Sequence, residues 1–436
     1  MNHQPRPTPA STATARGAAP GAIVLGGAHG SLAVVRSLGR HSIPVCVISA
    51  DHPIARLSRY ATYALSWPGP ADPGALDFLL RLAGDRAGPN LANWLIFTGG
   101  DAEAEFVSRH HAELSAVFGV TGPDWQAARF AVDKHLTYQR AAELGIDFPL
   151  TWAAKNRDEA AALDCRFPVI LKPAVKDSPN AFTLAKAWRV DDRDALIARY
   201  EQAASLVGPD AVVIQELIPG DGSTQFSYAA AWYHGAPLAS LVARRTRQYP
   251  VDFGYTSTYV ETIAEREVED AAVRFLASLD FTGLVEVEFK YDRRDRRYKL
   301  LDVNARAWTW TGLGAAAGTD FPWLLWQAHA GVASPRRAGR PGAAWTHVAR
   351  DFVALLQQMP RRTPALPHDR RTRQGPLVYA AYASDDPLPG LADLPLTFWR
   401  ALRTRLPIAL RGLGHHRTAP ETPAKTKPSG PAAPAL

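Results

Sequence analysis

Two arms of alternating polarity constrain this chain more than any other feature. Leu284-Val285-Glu286-Val287-Glu288-Phe289-Lys290-Tyr291 and Tyr298-Lys299-Leu300-Leu301-Asp302-Val303-Asn304-Ala305-Arg306 flank the charged link Arg293-Arg294-Asp295-Arg296-Arg297. A period of two marks strands with one buried face, so the link reads as the loop of a hairpin. Pairing symmetric about Asp295 sets Glu288 opposite Asp302 and Glu286 opposite Asn304, with Val285, Val287, Phe289, Leu301 and Val303 on the other face. Opposed side chains lie about 4.5 to 5.5 Å apart in such a ladder, and like charges there destabilise the sheet. A cation should therefore join them. All four polar groups are oxygen donors, which suits a hard ion such as Mg²⁺ bound jointly by carboxylates and substrate phosphates. Two ions about 3.5 to 4 Å apart would clamp a transferring phosphoryl group. Without metal, Asp302→Asn should raise stability by relieving the opposed charges. The plainer alternative is a solvated polar face on an edge hairpin; Glu-x-Glu facing Asp-x-Asn-x-Arg argues against it.

The rest of the chain supplies a parallel-sheet context. Ala22 to Leu25 leads into Gly26-Gly27-Ala28-His29-Gly30-Ser31, then a helical pattern with Leu32, Val35 and Leu38 on one side, then an apolar run from Val45 to Ile48. This βαβ succession, echoed by Trp94 to Phe97 before Thr98-Gly99-Gly100-Asp101, argues for a parallel sheet. Asp124 is placed to cap a helix carrying Ala128, Val132, Leu136 and Leu144 and ending at Gly145. Strands are expected at 168–171, 211–218, 225–232 and 237–243, and helices at 264–279, 348–358 and 396–406. The fold class is α/β and α+β multidomain. Its divisions are a disordered 1–20, a parallel-sheet domain at 21–123, a second domain at 124–331, a basic extension at 332–413 and a disordered tail at 414–436.

A phosphate site also needs cations from the protein. Lys172 ends the apolar run Phe167-Pro168-Val169-Ile170-Leu171, and Lys134 lies in Asp133-Lys134-His135-Leu136-Thr137-Tyr138. Either alone reads as an ordinary surface lysine. Their order with Val212-Val213-Ile214-Gln215-Glu216-Leu217-Ile218-Pro219-Gly220-Asp221 and the acidic hairpin resembles the ATP-grasp superfamily. The branch is that of carboxylate-amine ligases resembling D-aspartate ligases and the synthetase half of carbamoyl phosphate synthase, and the resemblance covers about residues 20–331. It implies a parallel-sheet pre-ATP-grasp domain and a two-lobed ATP-grasp fold with a central lid at about 150–215. It implies phosphate contacts from Lys134 and Lys172, adenine contacts from the backbone of Gln215, Glu216, Leu217 and Ile218, and ribose contacts from Glu216 and Asp221. Magnesium would be held by Glu288, Asp302 and Asn304, with Glu286 an additional candidate. Lys172 and Arg306 would be the catalytic residues, Arg306 meeting the transferring phosphate or the substrate carboxylate. The family usually has glutamate where this chain has Asp302. Residues 174–184 match the phosphate-covering loop, and Arg247, Tyr249 and Gly254 the substrate-side loop. Gly26, Gly27 and His29 are further substrate candidates.

The implied activity is ATP-dependent joining of a carboxylate to an amine through an acylphosphate, with ATP and Mg²⁺, two ions expected and Mn²⁺ able to substitute. The substrates would be small-molecule acids and amines, amino acids or peptides by the resemblance. A catalytically silent ATP-binding scaffold is the alternative. A nicotinamide dehydrogenase is a third, but Ala28 and Ser31 stand where Gly-x-Gly-x-x-Gly requires glycines. No Gly-x-x-x-x-Gly-Lys occurs, which excludes a P-loop enzyme. The net charge of +7 resides in residues 332–436, whose 16 Lys or Arg against 6 Asp or Glu leave the main body slightly acidic. Stacking aromatics do not alternate with those arginines, so no specific nucleic-acid partner is expected. No apolar run nears the roughly 18 to 20 residues of a membrane span, no secretory signal opens the chain, and the two cysteines, Cys46 and Cys165, make no disulfide framework. The expected location is cytoplasmic. Ala381-Tyr382-Ala383-Ser384-Asp385-Asp386-Pro387-Leu388-Pro389 is a motif shared with similar ligases to which the sequence assigns no role.

Overall fold

β1 (Ala22–Leu25) is apolar and buried along its whole length, so it must be covered on both faces, as strands of parallel sheets are. α1 (His29–Arg40) supplies one cover through Leu32, Val35 and Leu38. With β2 (Val45–Ser49), β3 (Ala61–Ser66), α2 (Ala75–Arg81), β4 (Leu95–Thr98), α3 (Asp101–Arg109), α4 (His111–Ser115) and β5 (Gly119–Val120), it builds a five-stranded parallel sheet in the order β3-β2-β1-β4-β5. The computed structural model describes residues 19–50, 52–84, 89–173, 180–185, 187–249, 256–351, 375–397 and 399. Residues up to Gly390 form one compact unit and those from Leu391 a second. Strand order reverses between β1 and β4, the switch point beside which such sheets bind ligands at their carboxyl edge. Gly26-Gly27 leave β1 there, and Gly99-Gly100-Asp101 leave β4.

The helix expected from Asp124 to Gly145 is two helices. Asp124 caps α5 (Trp125–Val132) by accepting from the Ala127 amide at 3.1 Å. Asp133 then leaves helical geometry and caps α6 (Lys134–Glu143), accepting from the His135 amide at 2.8 Å. An aspartate that bonds the backbone two residues ahead competes with the helix, so the apolar spacing continues while the axis does not. Val132, expected in the buried stripe, is 45% exposed. The break sets Lys134 at the first position of α6.

Next come β6 (Thr151–Ala153), α7 (Arg157–Ala162), β7 (Val169–Pro173), α8 (Ala181–Leu184), β8 (Trp188–Val190), α9 (Arg193–Val207) and β9 (Val212–Glu216). Their antiparallel sheet, ordered β6-β9-β7-β8, packs Val169, Leu171 and Ile214 with Leu196, Tyr200 and Ala203 of α9. This small lobe spans the range proposed for the lid.

The last lobe contains β10 (Gln225–Tyr233), β11 (Ala236–Tyr249), β12 (Thr256–Ile263), α10 (Arg266–Ala277), β13 (Gly283–Asp292), β14 (Arg297–Asn304), α11 (Leu313–Ala316), α12 (Phe321–His329), β15 (Arg337–Ala338), β16 (Ala344–Thr346) and β17 (Leu377–Tyr379). An eight-stranded sheet runs β14-β13-β10-β11-β12-β16-β17, with β15 beside β11. The segment expected to begin a separate basic extension at residue 332 thus contributes three strands to it. α10 packs Val268, Ala272, Phe275 and Leu276 against Tyr228, Trp232, Val285, Val287, Phe289, Leu300 and Val303. The Asp385-Asp386 motif acquires a structural role. Asp386 accepts from Arg36 Nε (2.9 Å), Ser58 Oγ (2.7 Å) and the Arg59 amide (2.9 Å), and Asp385 from Arg40 and Tyr60, fastening the C-terminal segment to the first domain. Among the described residues no helix is long and apolar enough to cross a membrane. Both expected terminal tails lie outside the described residues but for positions 19 and 20, as do most of the 348–358 and 396–406 helices.

Glu288 pairs with Asp302 and Glu286 with Asn304, as the alternation requires, but Phe289 pairs with Leu300. The link closes over residues 293–296, one fewer than the symmetric reading, with Arg296 at φ 62°, and Leu301 is the extra residue of a β-bulge that absorbs the difference. Leu300, not Leu301, therefore enters the core and is fully buried. Leu300→Ala should cost about 2 to 5 kcal/mol in urea denaturation, and Leu301→Ala markedly less. A costlier Leu301→Ala would restore the symmetric register.

Candidate active site

The register sets Glu286, Glu288, Asp302 and Asn304 on the face opposite α10. Asn304 Nδ2 donates to Glu286 Oε2 at 3.3 Å and to Glu288 Oε1 at 3.0 Å, while Ser227 Oγ of β10 donates to Glu286 Oε1 at 2.9 Å. The cations that opposed carboxylates demand come from two other elements. Arg245 of β11 pairs with Glu288, and Lys134 Nζ lies 2.9 Å from Asp302 Oδ1. Arg245 Nε also donates to Ser257 Oγ at 2.6 Å. Sequence reasoning missed Arg245. Its linear sign is the pair Arg244-Arg245 closing an apolar strand, but an irregularity between Arg244 and Arg247 sets which arginine faces where. Arg244 instead binds Glu261 at 3.0 Å.

Burial, reinforced by the charge of Glu288, pushes the Glu286 carboxyl up to about 7 despite Arg245. Burial also works against ionisation of Asp302, but Lys134 and Lys172 outweigh it and hold that carboxyl below its ordinary value. The relief expected from Asp302→Asn is thereby corrected: Asp302 is paid in full by lysine, and the destabilised carboxylate is Glu286. Three carboxylates and an amide oxygen, one of the carboxyls kept from ionising by burial beside Glu288, fit a hard divalent cation.

Lys172 Nζ donates to Gln215 Oε1 at 2.6 Å, and Gln215 Nε2 donates to Tyr138 Oη at 3.2 Å and Thr151 Oγ1 at 3.0 Å. Tyr138 Oη in turn donates to the carbonyl of the bulged Leu301 at 3.1 Å. Lys134, Lys172 and Gln215 thus converge at the hairpin. Tyr138 was missed, although it lies four residues after Lys134 on one helix face. Two expectations for the linker are corrected. Glu216, proposed for ribose, is buried in an ion cluster with Arg294, Lys299 (3.1 Å) and, through them, Asp292. The Leu217 amide, proposed to read adenine, donates to the Pro168 carbonyl at 3.3 Å. Ile218 is 3% exposed. Asp221 accepts from the amide and hydroxyl of Ser223, and neighbouring Lys290 donates to the Gly220 carbonyl, with burial lowering its ammonium to about 8.

Arg306 Nε and Nη2 reach Asp101 Oδ1 and Oδ2 at 2.6 and 3.1 Å, and Nη2 reaches Asn304 Oδ1 at 3.4 Å. The Ala307 amide donates to the Thr98 carbonyl at 2.9 Å, and a β-carbon at Gly30 would fall 2.9 Å from the carbonyl oxygens of Ala307 and Trp308. The chain leaving the hairpin therefore docks on the carboxyl edge of β1 and β4, beside Gly26 and Gly27. His29 is buried there, with the His52 and His347 rings 5.7 and 4.8 Å away. Arg247, expected to face substrate, is instead committed to Asp351 by two hydrogen bonds of 2.7 and 2.6 Å. Tyr249 pairs through its backbone with Thr256, while Gly254 and residues 174–179 of the expected phosphate loop lie outside the described residues.

No family model matches the sequence. The D-aspartate ligase of Enterococcus faecium is 24% identical over 301 residues, 65% of this chain and 70% of that protein. The D-alanine–D-alanine ligase of Xylella fastidiosa is 27% identical over 202 residues, 44% of this chain and 64% of that one. Among solved structures, a biotin carboxylase complex from Campylobacter jejuni shares the fold with a TM-score of 0.56 at 15% identity, covering 72% of each chain.

The raised Glu286 carboxyl carries a pH signature. Its folded-state value, about 7, exceeds the ordinary 4.5, so metal-free stability falls as pH rises between them and is constant above. Glu286→Gln should be more stable than the parent at pH 8, by on the order of 3 kcal/mol, and nearly equal to it at pH 4. Denaturant titrations at the two pH values decide it; a gain confined to pH 4 would contradict the assignment.

Proposed function

We propose that the chain is a member of the ATP-grasp superfamily and an ATP-dependent ligase joining a carboxylate to an amine through an acylphosphate, with release of ADP and phosphate. One observation carries the reading: Glu288 faces Asp302 and Glu286 faces Asn304 across a hairpin edged by Lys134, Lys172 and Arg306. Such a face suits a metal–polyphosphate, which brings both the cation its carboxylates need and the anion its lysines and arginine need.

Lys134 and Lys172 bind the phosphates, exchanging Asp302 and Gln215 for phosphoryl oxygens. Glu288, Asp302 and Asn304, with Glu286 as a further ligand, would hold Mg²⁺, which would supply neutralisation of phosphate charge; the donor set also suits a second ion or Mn²⁺. Arg306 offsets the charge that grows as an oxygen of the acid attacks the γ-phosphorus and the bond to ADP breaks. The amine then attacks the acyl carbon, loses a proton and displaces phosphate. Tyr138 holds Gln215 and the bulge in place so that Lys172 is presented from a fixed position. The acid enters at the β1–β4 switch point, where Gly26, Gly27 and Arg306 meet. Amino acids or peptides are the substrate class, in keeping with the relatives' names, and the cytoplasm is the setting.

Incubation with ATP, Mg²⁺, hydroxylamine and a panel of amino acids should yield ADP and a hydroxamate from at least one acid. Glu288→Gln and Asp302→Asn should each lower ADP formation on the order of 100-fold or more while unfolding stays cooperative. No ADP across the panel from wild-type protein would contradict the reading.

A further inference from the structure

We infer that Asp101, in the first domain, is the positioning residue for Arg306. The inference rests on the ligase reading and extends it, because it gives the parallel-sheet domain a part in the chemistry. Asp101 opens α3 directly after Gly99-Gly100, at the carboxyl end of β4. Its carboxylate meets Nε and Nη2 of Arg306 side by side at 2.6 and 3.1 Å, the fork-to-fork geometry that fixes the plane of a guanidinium as well as its distance. Asn304 Oδ1 accepts from Nη2 on the metal-candidate side, and the Ala307 carbonyl accepts from Nη1 at 3.1 Å. The Ala307 amide is bonded to Thr98, three residues before Asp101. The backbone of the arginine and its carboxylate partner thus rest on one edge of one sheet.

Exposure separates this role from a structural one. The Asp101 side chain is 77% exposed and that of Arg306 18%. An ion pair with so wet a partner adds little to folding. What it does is remove the freedom of a long side chain before the reacting group arrives, and misplacement of such a group costs rate rather than affinity. A plainer role for Asp101, as an acid in the first turn of α3, would act on stability alone.

The test compares Asp101→Asn and Asp101→Glu with the wild type. Asp101→Asn should lower kcat by about 10- to 100-fold with KM for ATP and the melting temperature unchanged, and Asp101→Glu should recover part of the rate. Phenylglyoxal labelling of Arg306, followed by peptide mapping, should be faster in Asp101→Asn, a readout independent of turnover. Wild-type kcat in Asp101→Asn, or a rate loss matched by a fall in melting temperature in both variants, would overturn the inference. If the wild type makes no ADP with any acid, the ligase reading fails instead, and an unchanged labelling rate would still overturn the pairing.

Discussion

Hydrogen bonding between β13 and β14 holds Glu286, Glu288, Asp302 and Asn304 on one face, and the ladder leaves the opposed groups no way to part. Much else in the molecule answers that constraint. Arg245 reaches in from β11 and Lys134 from α6, and Arg306 follows the hairpin itself. Removing Arg245 would strand the Glu288 charge where water is largely excluded, and these contacts tie three separate elements to a single strip of sheet. Burial beside the charge of Glu288 is why the Glu286 carboxyl resists ionisation.

The bulge at Leu301 turns this electrostatic strip into a junction. One extra residue in β14 sends Leu300 into the core against α10 and frees the Leu301 carbonyl to accept from Tyr138. Through Tyr138 the hairpin meets Gln215, and through Gln215 it meets Lys172 on the small lobe. Had the pairing stayed symmetric, Leu301 would have filled the core position that Leu300 now takes. Packing and site geometry thus depend on the same irregularity.

Much of this was legible in the sequence because it is periodic. Alternation identified the hairpin and paired Glu288 with Asp302, and all-apolar runs beside glycines identified the parallel strands. What escaped was non-periodic. The Asp133 cap breaks a helix whose apolar spacing continues unbroken, and the Leu301 bulge shifts a register that symmetry alone would have kept. Arg245 and Arg247 are two residues apart in one strand, yet irregular pairing sends the first to Glu288 and the second to Asp351. Glu216 shows the converse failure: motif position suggested a nucleotide contact, but Arg294 and Lys299, distant in sequence, enclose its carboxylate. Long-range pairing of charges has no signature in spacing.

The two bodies of the site meet where β1 and β4 diverge. On the ligase reading the acid would sit at the glycine turns and the polyphosphate at the acidic hairpin with its lysines, so acyl transfer would pass an oxygen from acid to phosphate. That transfer is directly measurable. With an acid labelled with ¹⁸O in its carboxylate, ligation through an acylphosphate delivers one labelled oxygen to each inorganic phosphate released, seen as an isotope shift in the ³¹P spectrum. Unlabelled phosphate, with both heavy oxygens kept on the acid's carbon skeleton or lost to water, would contradict acyl transfer at this site.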